Sequence, residues 1–271
     1  MMTMQAENPP SISLIFVNYQ SASYLARALR SLMSIEGSHN DFEIIIVNND
    51  EKESVQMREL QTAFDFVLIE SRENGGFGFG ANRGALSAQS EIIGFLNPDI
   101  LWREKCLKEI YSVFQKDEQV GIVGMQLLRR DGKPEAGSYG QEPNFIRILW
   151  NNLFPFWEKK SREKKQPFLV DWVSGAAFFI RKKIFQSGEG FDERFFLYFE
   201  DVDLCRRVRK KGHKVVVAPT PSLIHYGGKS QTVSTTQKKE FYVSQEKYFK
   251  KHYSRTAYYL LRFFRYLRHA R

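Results

Sequence analysis

The sequence has no long apolar run and few cysteines. It contains no run of 18 apolar residues, so the sequence predicts no transmembrane helix. Its first residues, MMTMQAENPPS, have neither a basic n-region nor an apolar h-region, so we expect no signal peptide. Only two cysteines are present, Cys106 and Cys205, and apolar and charged residues flank each at helical spacing. This favours buried free thiols over a disulfide framework and predicts a reducing, cytoplasmic location.

The chain also lacks internal repeats, long low-complexity segments and an even spread of charge. Its net charge is +9, yet residues 238–271 hold ten Lys or Arg and only two Glu, so the remainder is nearly neutral. A diffuse nucleic-acid binder would not usually confine its charge to one tail, so we predict no nucleic-acid partner. The alternative, a single-strand binder that uses the basic aromatic tail, would show strongly salt-dependent binding.

The chain does contain a regular alternation of strand and helix patterns. Its 271 residues, 42% hydrophobic and 26% charged, allow one large domain or two small ones. Apolar runs such as SLIFVNY are typical of buried parallel strands. Strands are predicted at 13–19, 42–47, 66–70, 91–96, 120–127, 172–181 and 214–218, and helices at 23–34, 55–64, 81–88, 107–114 and from 200. The pattern predicts an α/β fold with a mixed, mostly parallel sheet flanked by helices.

Polar clusters follow three of these strands, at residues 18–20, 48–50 and 97–99. In open α/β sheets, ligands bind at the carboxyl ends of the strands, so the clusters predict a ligand site there. In the third cluster Pro98 stiffens the turn, and Asp99 could hold Mg²⁺ or Mn²⁺, hard ions that prefer oxygen ligands. Taken alone, Asn97-Pro98-Asp99 favours an ordinary turn, because these residue types are common in turns.

Two adjacent acids, Glu200 and Asp201, open a predicted helix. Acids at its start and basic residues near its end match the helix dipole, which explains much of the pattern without any function. The aromatic segment FFLYF leads directly into the acids, however, and would carry them toward a partly dry cleft. A carboxylate in such a cleft can serve as a general base, so both interpretations stay open.

A lone histidine, His225, follows the predicted strand at 214–218. A lone histidine is more often structural than functional. Here Gly227, Gly228, Lys229 and Ser230 come directly after it. That sequence predicts a diphosphate-binding loop beside a metal ligand.

A glycine-rich segment, NGGFGFG, occupies residues 74–80 between a strand and a helix. Glycines let backbone amides approach phosphates, so the segment predicts a phosphate-binding loop. Its spacing is not G-x-G-x-x-G, and it follows the third strand rather than the first. A dehydrogenase, which would bind a nicotinamide nucleotide without metal, is therefore kept as a weaker alternative.

Taken together, residues 11–230 resemble the family 2 inverting glycosyltransferases of the GT-A fold, and more narrowly their bacterial rhamnosyltransferase-like branch. The resemblance implies a nucleotide site at the ends of the first two strands, along the Asn-x-Gly-Phe…Asn-x-Gly segment, at the N-P-D motif and in the late glycine loop. The residues concerned are Asn18, Tyr19, Asn48, Asp50, Asn74, Gly76, Phe77, Asn82, Gly84, Asn97 and Lys229. One departure is Asn48, where relatives commonly have Asp; Asp50 is expected to compensate.

The resemblance also implies the catalytic roles. Asp201 is the expected base that deprotonates an acceptor hydroxyl, and Glu200 orients the acceptor or Asp201. Asp99 and His225 are the expected ligands of a divalent metal, Mn²⁺ or Mg²⁺. Acceptor contacts are expected at Trp172, Ser174 and Gly175.

The substrates follow from the same resemblance. The donor is expected to be a nucleoside diphosphate sugar, first dTDP-rhamnose, with UDP-galactose, UDP-galactofuranose or UDP-N-acetylglucosamine as alternatives. The acceptor is expected to be a glycan or a polyprenyl-diphosphate-linked sugar in bacterial cell-surface polysaccharide synthesis. A degenerate fold that binds nucleotide or glycan without turnover is a further alternative, although retention of Asp99, Asp201 and His225 argues against it.

The last part of the chain predicts a helical extension to the catalytic domain, with the catalytic domain at residues 1–234 and the tail at 235–271. In the tail, Leu260, Phe264 and Leu267 lie opposite Arg262, Arg265 and Arg268 on a helix. An amphipathic basic and aromatic helix suits anionic lipid headgroups, so we expect peripheral contact with the inner face of the plasma membrane. A helix packed on the catalytic domain is the alternative. The aromatic segment at 145–157 and the basic loop at 159–165 leave the same two readings open.

Overall fold

A computed structural model describes residues 11–37, 41–71, 73–153, 166–226 and 235–269. Three predicted features lie outside the described residues: the loop with Lys229, the basic loop at 159–165 and the domain boundary at 234. The strands are β1 (Ile12–Asn18), β2 (Phe42–Asn48), β3 (Val67–Glu70), β4 (Ile92–Leu96), β5 (Ile100–Leu101), β6 (Val120–Leu128), β7 (Tyr139–Gly140), β8 (Phe168–Leu169), β9 (Trp172–Val173), β10 (Ala177–Arg181) and β11 (Lys214–His225).

The helices surround these strands. They are α1 (Ala22–Glu36), α2 (Ser54–Ala63), α3 (Phe77–Ser87), α4 (Leu107–Lys116), α5 (Phe145–Leu153), α6 (Lys182–Ser187), α7 (Glu200–Lys210), α8 (Thr235–His252) and α9 (Arg255–His269). Most lie close to their predicted positions, because the apolar spacing that predicted them is the spacing that packs on the sheet.

The main sheet has the order β3-β2-β1-β4-β10-β6-β11-β5, with β8 paired to β11, and β7 pairs with β9 in a small second sheet. The strands β3, β2, β1 and β4 run parallel, and β10 runs antiparallel to its neighbours β4 and β6. Since β6 and β11 are parallel to each other, the carboxyl ends of β1, β2, β4 and β11 share one edge. The predicted mixed, mostly parallel sheet is confirmed.

Helices cover both faces of this sheet, which is why its central strands are apolar on both sides. Leu14 and Phe16 of β1 belong to a core with α1 and α4, whereas Ile15 and Val17 belong to a core with α3, α6 and α7. Alternate residues of a strand point to opposite faces, so a strand between two helical layers reads as a continuous apolar run.

The glycine-rich segment differs from the prediction. Helix α3 begins at Phe77, so most of the predicted loop is helical. A Cβ at Gly80 would lie 2.7 Å from Val17 Cγ1, and one at Gly84 would lie 2.5 Å from Ile15 Cγ2. The glycines therefore let α3 approach β1 closely, and the prediction that the entire run forms a phosphate loop was wrong.

Two strands also have different limits from those predicted. The single strand at 172–181 is two strands, β9 and β10, separated by a turn at residues 174–176. Strand β11 continues to His225, and its register with β6 shifts between Ala218 and Ser222, where two prolines lie. Proline has no N–H to donate to a neighbouring strand and is accommodated at such irregularities. The two prolines therefore made the sequence pattern of the strand end at residue 218.

Helix α8, the first of the two helices in the C-terminal tail, packs on the rest of the protein. Tyr248 and Phe249 are fully buried in a cluster with Phe195, Phe199 and, from α9, Leu261. Ser244 Oγ also donates a hydrogen bond of 2.8 Å to the Leu197 carbonyl. Among the helices that the structure describes, none combines the length and apolarity needed to cross a bilayer.

Candidate active site

The residues singled out from the sequence cluster at the carboxyl edge of the sheet. Asn18 and Asn48 end β1 and β2, and their side chains are fully buried. Asn18 Nδ2 donates to Asn48 Oδ1 and to Glu53 Oε2, each at 2.9 Å. Asn48 Nδ2 in turn donates to the Asp50 carbonyl and to Glu70 Oε2, at 2.9 and 2.8 Å. Both amides are thus committed to a network inside the protein.

Tyr19 and Asp50 stand beside this network. Tyr19 is 48% exposed, so its ring faces the solvent side of the edge. Asp50 is largely buried, and its Oδ1 accepts a hydrogen bond of 3.1 Å from the backbone N–H of Lys52, which caps a short 3₁₀ turn. Of these two predicted contacts, the Tyr19 ring is therefore exposed, and the Asp50 carboxylate already has one oxygen hydrogen-bonded to the backbone.

The segment before α3 links the end of β2 to the loop that precedes the acid pair. Asn74 Oδ1 accepts from the backbone N–H of Gly76, at 3.1 Å, and Asn49 Nδ2 donates to the Gly76 carbonyl, also at 3.1 Å. Gly76 has a φ of +92°, and any Cβ there would clash with the Phe196 carbonyl oxygen. The N–H of Phe77 donates to that same oxygen at 3.2 Å. Only glycine fits this crossing of two loops.

Asn82 has a bridging position within the protein. Its Nδ2 donates to the Phe191 carbonyl, at 2.9 Å, and its Oδ1 accepts from the Phe191 N–H, at 2.8 Å. A second Nδ2 contact reaches Glu193 Oε1 at 2.9 Å. Asn82 thus ties α3 to the segment that leads into α7.

Helix α7 begins at the acid pair, after two strained residues. Tyr198 and Phe199 have φ values of +67° and +68°, a left-handed conformation that is unfavourable for bulky residues. Tyr248 of α8 packs on Phe199, with ring centroids 5.4 Å apart. Packing by α8 therefore offsets the strain and holds the start of α7 in place, and strain of this kind often marks functional sites.

Asp201 contacts the turn predicted to bind the acceptor. The backbone N–H of Gly175 donates to Asp201 Oδ2 at 2.7 Å, and the N–H of Val202 donates to Oδ1 at 2.7 Å. Burial raises the pKa of Asp201, and these backbone hydrogen bonds oppose the rise. The carboxylate is thereby oriented by fixed donors at the edge of the sheet.

Glu200 has a different environment from its neighbour. It is 5% exposed, and its Oε2 has no hydrogen-bond partner within the described part of the chain. Burial, together with the nearby charge of Asp201, raises the pKa of Glu200 well above its ordinary value. Two adjacent carboxyl groups whose environments differ in this way can divide acid and base roles between them.

The rest of the predicted acceptor turn is held by the backbone. Ser174 N–H donates to the Ser138 carbonyl at 2.8 Å, and Ser174 Oγ accepts from Ala176 N–H at 3.2 Å. Trp172 Nε1 donates to the Gln141 carbonyl at 3.0 Å. The turn is therefore anchored on both sides of Gly175.

The Asn97-Pro98-Asp99 motif adjoins this turn. The N–H of Asn97 donates to the Ala176 carbonyl at 2.8 Å, next to Gly175 in the chain. Asp99 Oδ1 lies 3.3 Å from His225 Nε2, and the side chains of Asp99 and His225 are 15% and 16% exposed. The two predicted metal ligands therefore meet, although they are 126 positions apart in the sequence (99 and 225).

The donor set fits a divalent cation. It offers one carboxylate oxygen and one imidazole nitrogen, which Mg²⁺ or Mn²⁺ accept when water or substrate oxygens complete the shell. Within the described ranges, no three His, Cys, Asp or Glu side chains converge to form a metal site by themselves. Burial would lower the pKa of His225, but hydrogen bonds to Asp99 and Glu135 raise it to about 10.

Sequence reasoning missed several residues of the site. Glu53 and Glu70 complete the amide network, and Glu135 contacts His225. Each lies in a turn or at a strand end, where acidic and amide residues are common, so the local sequence carried no distinguishing signal.

The chain is similar to known proteins over most of its length. A model of the family described as "Glycosyltransferase like family 2" matches residues 9–248. The N-acetylglucosaminyl-diphospho-decaprenol L-rhamnosyltransferase of Mycobacterium tuberculosis is 25% identical over 236 residues, which cover 79% of this chain and 76% of that protein. Rhamnosyltransferase WbbL of Escherichia coli K12 is 24% identical over 79% of this chain and 83% of its own length.

Two solved structures illustrate the fold. GalNAc-T7 with UDP, GalNAc and Mn²⁺ matches with a TM-score of 0.64 and 14% identity, over 89% of this chain and 48% of that one. S. aureus TarS 1-349 in complex with UDP matches with a TM-score of 0.56 and 15% identity, over 79% of this chain and 60% of that one. The chain thus spans less than two thirds of either structure, and the likeness shows a shared fold.

Proposed function

Since the chain belongs to glycosyltransferase-like family 2, we propose that it transfers a sugar, with inversion, from a nucleoside diphosphate donor to an acceptor hydroxyl. The observation that carries this is the 2.7 Å contact between Asp201 Oδ2 and the Gly175 N–H at the carboxyl edge of the sheet. It joins the proposed base to the proposed acceptor turn.

Asp201 is the proposed general base. The acceptor hydroxyl would give its proton to this carboxylate as the oxygen attacks the anomeric carbon from the face opposite the leaving diphosphate. One base is enough, because configuration inverts in a single displacement and no covalent intermediate forms. Backbone donors from Gly175 and Val202 fix the carboxylate, and Glu200 would orient the acceptor or Asp201.

Asp99 and His225 are the proposed ligands of Mn²⁺ or Mg²⁺. When bound, the ion supplies positive charge that stabilises the departing diphosphate. Asp99→Ala should sharply weaken metal-dependent nucleotide binding, and unchanged binding would reassign the metal site. Asn18, Tyr19, Asn48, Asp50, Asn74, Gly76, Phe77, Asn82, Asn97 and Lys229 are the proposed frame and contacts of the donor.

The donor we favour is dTDP-rhamnose, and the acceptor is a lipid-diphosphate-linked glycan. Support comes from the two rhamnosyltransferases matched along most of their lengths, one of which is named for a diphospho-decaprenol substrate. The UDP-sugars remain alternative donors.

The decisive experiment is calorimetric titration of the protein with dTDP, UDP, GDP and NADH, each with Mn²⁺ and with chelator. Metal-dependent binding of one nucleoside diphosphate is expected, and preference for dTDP over UDP would favour rhamnose. Binding of NADH without metal would favour the dehydrogenase instead. If no nucleotide bound in a metal-dependent way, a degenerate fold, or a site assembled only with its acceptor, would replace this proposal.

A peripheral membrane surface is part of this proposal. Four apolar or aromatic side chains of α9 are largely exposed, and so are two of the neighbouring helix α5: Tyr259, Leu260, Phe263, Tyr266, Ile146 and Trp150. This differs from the predicted stripe, since Phe264 and Arg265 are half-buried and the side chains of Leu267 and Arg268 lie outside the described set. Aromatic side chains beside arginines suit the interface of an anionic bilayer.

Charge favours a membrane over a second copy of the chain. Helices α5 and α9 contain Arg147, Arg255, Arg262 and further basic residues but no Asp or Glu. A symmetric dimer through this patch would oppose like charges without a carboxylate to pair them, whereas anionic headgroups would neutralise them.

Vesicle flotation tests this surface. Truncation of the tail would remove buried Tyr248, so point variants are preferable. The double variant Phe263→Ser/Tyr266→Ser should lose binding to phosphatidylglycerol vesicles, whereas Leu86→Ser, which alters a residue 82% exposed on α3, should not. Equal flotation of all three proteins would remove the membrane surface from the proposal, as would a dimer dissociated by the double variant.

A further inference from the structure

Glu135 contacts the ring nitrogen of His225 that faces away from Asp99. Both carboxylate oxygens of Glu135 reach His225 Nδ1, at 3.0 and 2.9 Å, while Asp99 Oδ1 is 3.3 Å from Nε2. The imidazole is thus clamped between two carboxylates on opposite sides. Because they face different nitrogens, Glu135 and Asp99 do not converge on one point.

Glu135 lies at the end of a hairpin formed by residues 128–135, and this hairpin contacts the end of β11. Glu135 N–H donates to the Leu127 carbonyl at 2.9 Å, which continues the edge of β6. Arg130 Nε donates to the Tyr226 carbonyl at 2.9 Å, and the Arg130 guanidinium lies 3.6 Å from the centroid of the Tyr226 ring. The Arg130–Tyr226 contacts, together with the contact between Glu135 and His225, therefore fix the hairpin to the residues at and after His225.

The side chains involved are also sheltered. Glu135 is 27% exposed and His225 16% exposed. Glu135 gives both carboxylate oxygens to an imidazole 90 positions away in the chain. The contact therefore has the arrangement of an outer-shell carboxylate behind a ligating histidine, which fixes the tautomer and the ring orientation.

We propose that Glu135 is a positioning residue that holds the Nδ1–H of His225 and thereby presents Nε2 to the divalent ion beside Asp99. This rests on the proposed metal-dependent function. Glu135 acts through His225 and contacts neither the ion nor the sugar.

Three variants separate this role from others. Glu135→Ala removes the acceptor for Nδ1–H, whereas Glu135→Gln keeps an amide oxygen that can accept the same hydrogen bond. Asp131→Ala is the matched control, because it removes a carboxylate from the same hairpin that pairs with Arg129 instead of His225. Thermal melting of each variant checks that the fold is retained.

The readouts are Mn²⁺ affinity in the presence of UDP or dTDP and the ¹⁴N electron spin echo modulation from a coordinated imidazole. Glu135→Ala should weaken Mn²⁺ binding by about 10–100-fold and diminish the ¹⁴N modulation. Glu135→Gln should stay within about threefold of the native protein, and Asp131→Ala should match it.

Other outcomes would overturn the inference in recognisable ways. If Glu135→Gln were as damaging as Glu135→Ala while the ¹⁴N modulation persisted, Glu135 would be a direct ligand. If every variant bound Mn²⁺ normally and only the melting temperature fell, Glu135 would serve the hairpin alone. If the native protein itself showed no metal-dependent nucleotide binding, the proposed function would fail first, whatever the variants did.

Discussion

The candidate site has two halves, one at the ends of β1 and β2 and one at the start of α7, and their polar groups differ in hydrogen bonding. At the ends of β1 and β2, Asn18 and Asn48 are fully buried, and the side-chain amides of these two residues are engaged in hydrogen bonds. At the start of α7, by contrast, Glu200 has an oxygen with no partner among the residues that the structure describes, and it follows two left-handed residues. A satisfied network makes a rigid frame, whereas an unpartnered oxygen on Glu200 next to a strained backbone is an arrangement typical of functional sites.

The strongest test of this contrast is Asp201→Asn. Loss of the proposed base should lower kcat by about 10²–10⁴-fold, while metal-dependent nucleotide binding stays close to that of the native protein. Asp203→Asn is the matched control: Asp203 lies two positions further along the same helix and pairs with Arg207, Lys251 and His252. It should lose stability and retain turnover in the remaining folded protein. Near-normal turnover in Asp201→Asn would end its role as base.

The hydrogen-bond network of Asn18 and Asn48 can be tested with Asn48→Asp, which introduces the residue expected from the family resemblance. Its carboxylate could not donate to the Asp50 carbonyl and would face Glu70 Oε2, which now lies 2.8 Å from Asn48 Nδ2. The free energy of unfolding should fall by about 1–3 kcal/mol. Urea denaturation measures this. A variant that is more stable and binds nucleotide more tightly would show that Asn48 is no structural hub.

The acid pair also predicts how turnover depends on pH. Asp201 is active as a carboxylate, and burial raises its pKa, so turnover should fall as pH decreases through a value above that of an ordinary aspartate. The same raised pKa means that ionisation in the folded state costs stability as pH rises through it. A pH profile of kcat at saturating metal measures the acid limb, and a limb at the ordinary aspartate pKa would contradict the assignment.

The smallest effect is expected from Glu200→Gln. Because burial and the adjacent charge of Asp201 raise the pKa of Glu200 and so favour its protonated form, glutamine preserves its size and a hydrogen-bond donor. Turnover at neutral pH should therefore change by no more than about threefold, far less than in Asp201→Asn. A loss as large as that of Asp201→Asn would mean that Glu200 acts as an ionised carboxylate.

Local patterns predicted most of the layers of the fold. The apolar run of β1 and the helical spacing of α1 and α4 depend on neighbours a few positions apart, so periodicity reveals them. The glycines of α3 were misread, because their purpose is close approach to Ile15 and Val17 on another element. The turn at 174–176 was missed for the same reason, since Asp201 and Ser138 hold it from outside the segment.

The candidate site divides in the same way. Asp99, Asp201 and His225 were found from short motifs and family resemblance, and the structure brings Asp99 to His225. Glu135 was not found, because it lies 90 positions from His225 in a turn of ordinary composition. The exposed face of α9 also differed, because Leu261 and Arg265 are taken up by contacts with the protein body.

The sequence by itself determined the alternation of elements, the order of polar clusters along the chain and the family, because these depend on residue type and short-range spacing. Only the tertiary structure decided which glycine packs against a strand and which opens a loop. It also decided which carboxyl group is satisfied, which is left unpartnered in the interior, and which one supports the histidine. Those properties are set by burial and by distances between residues far apart in the chain, and neither is written in any local pattern.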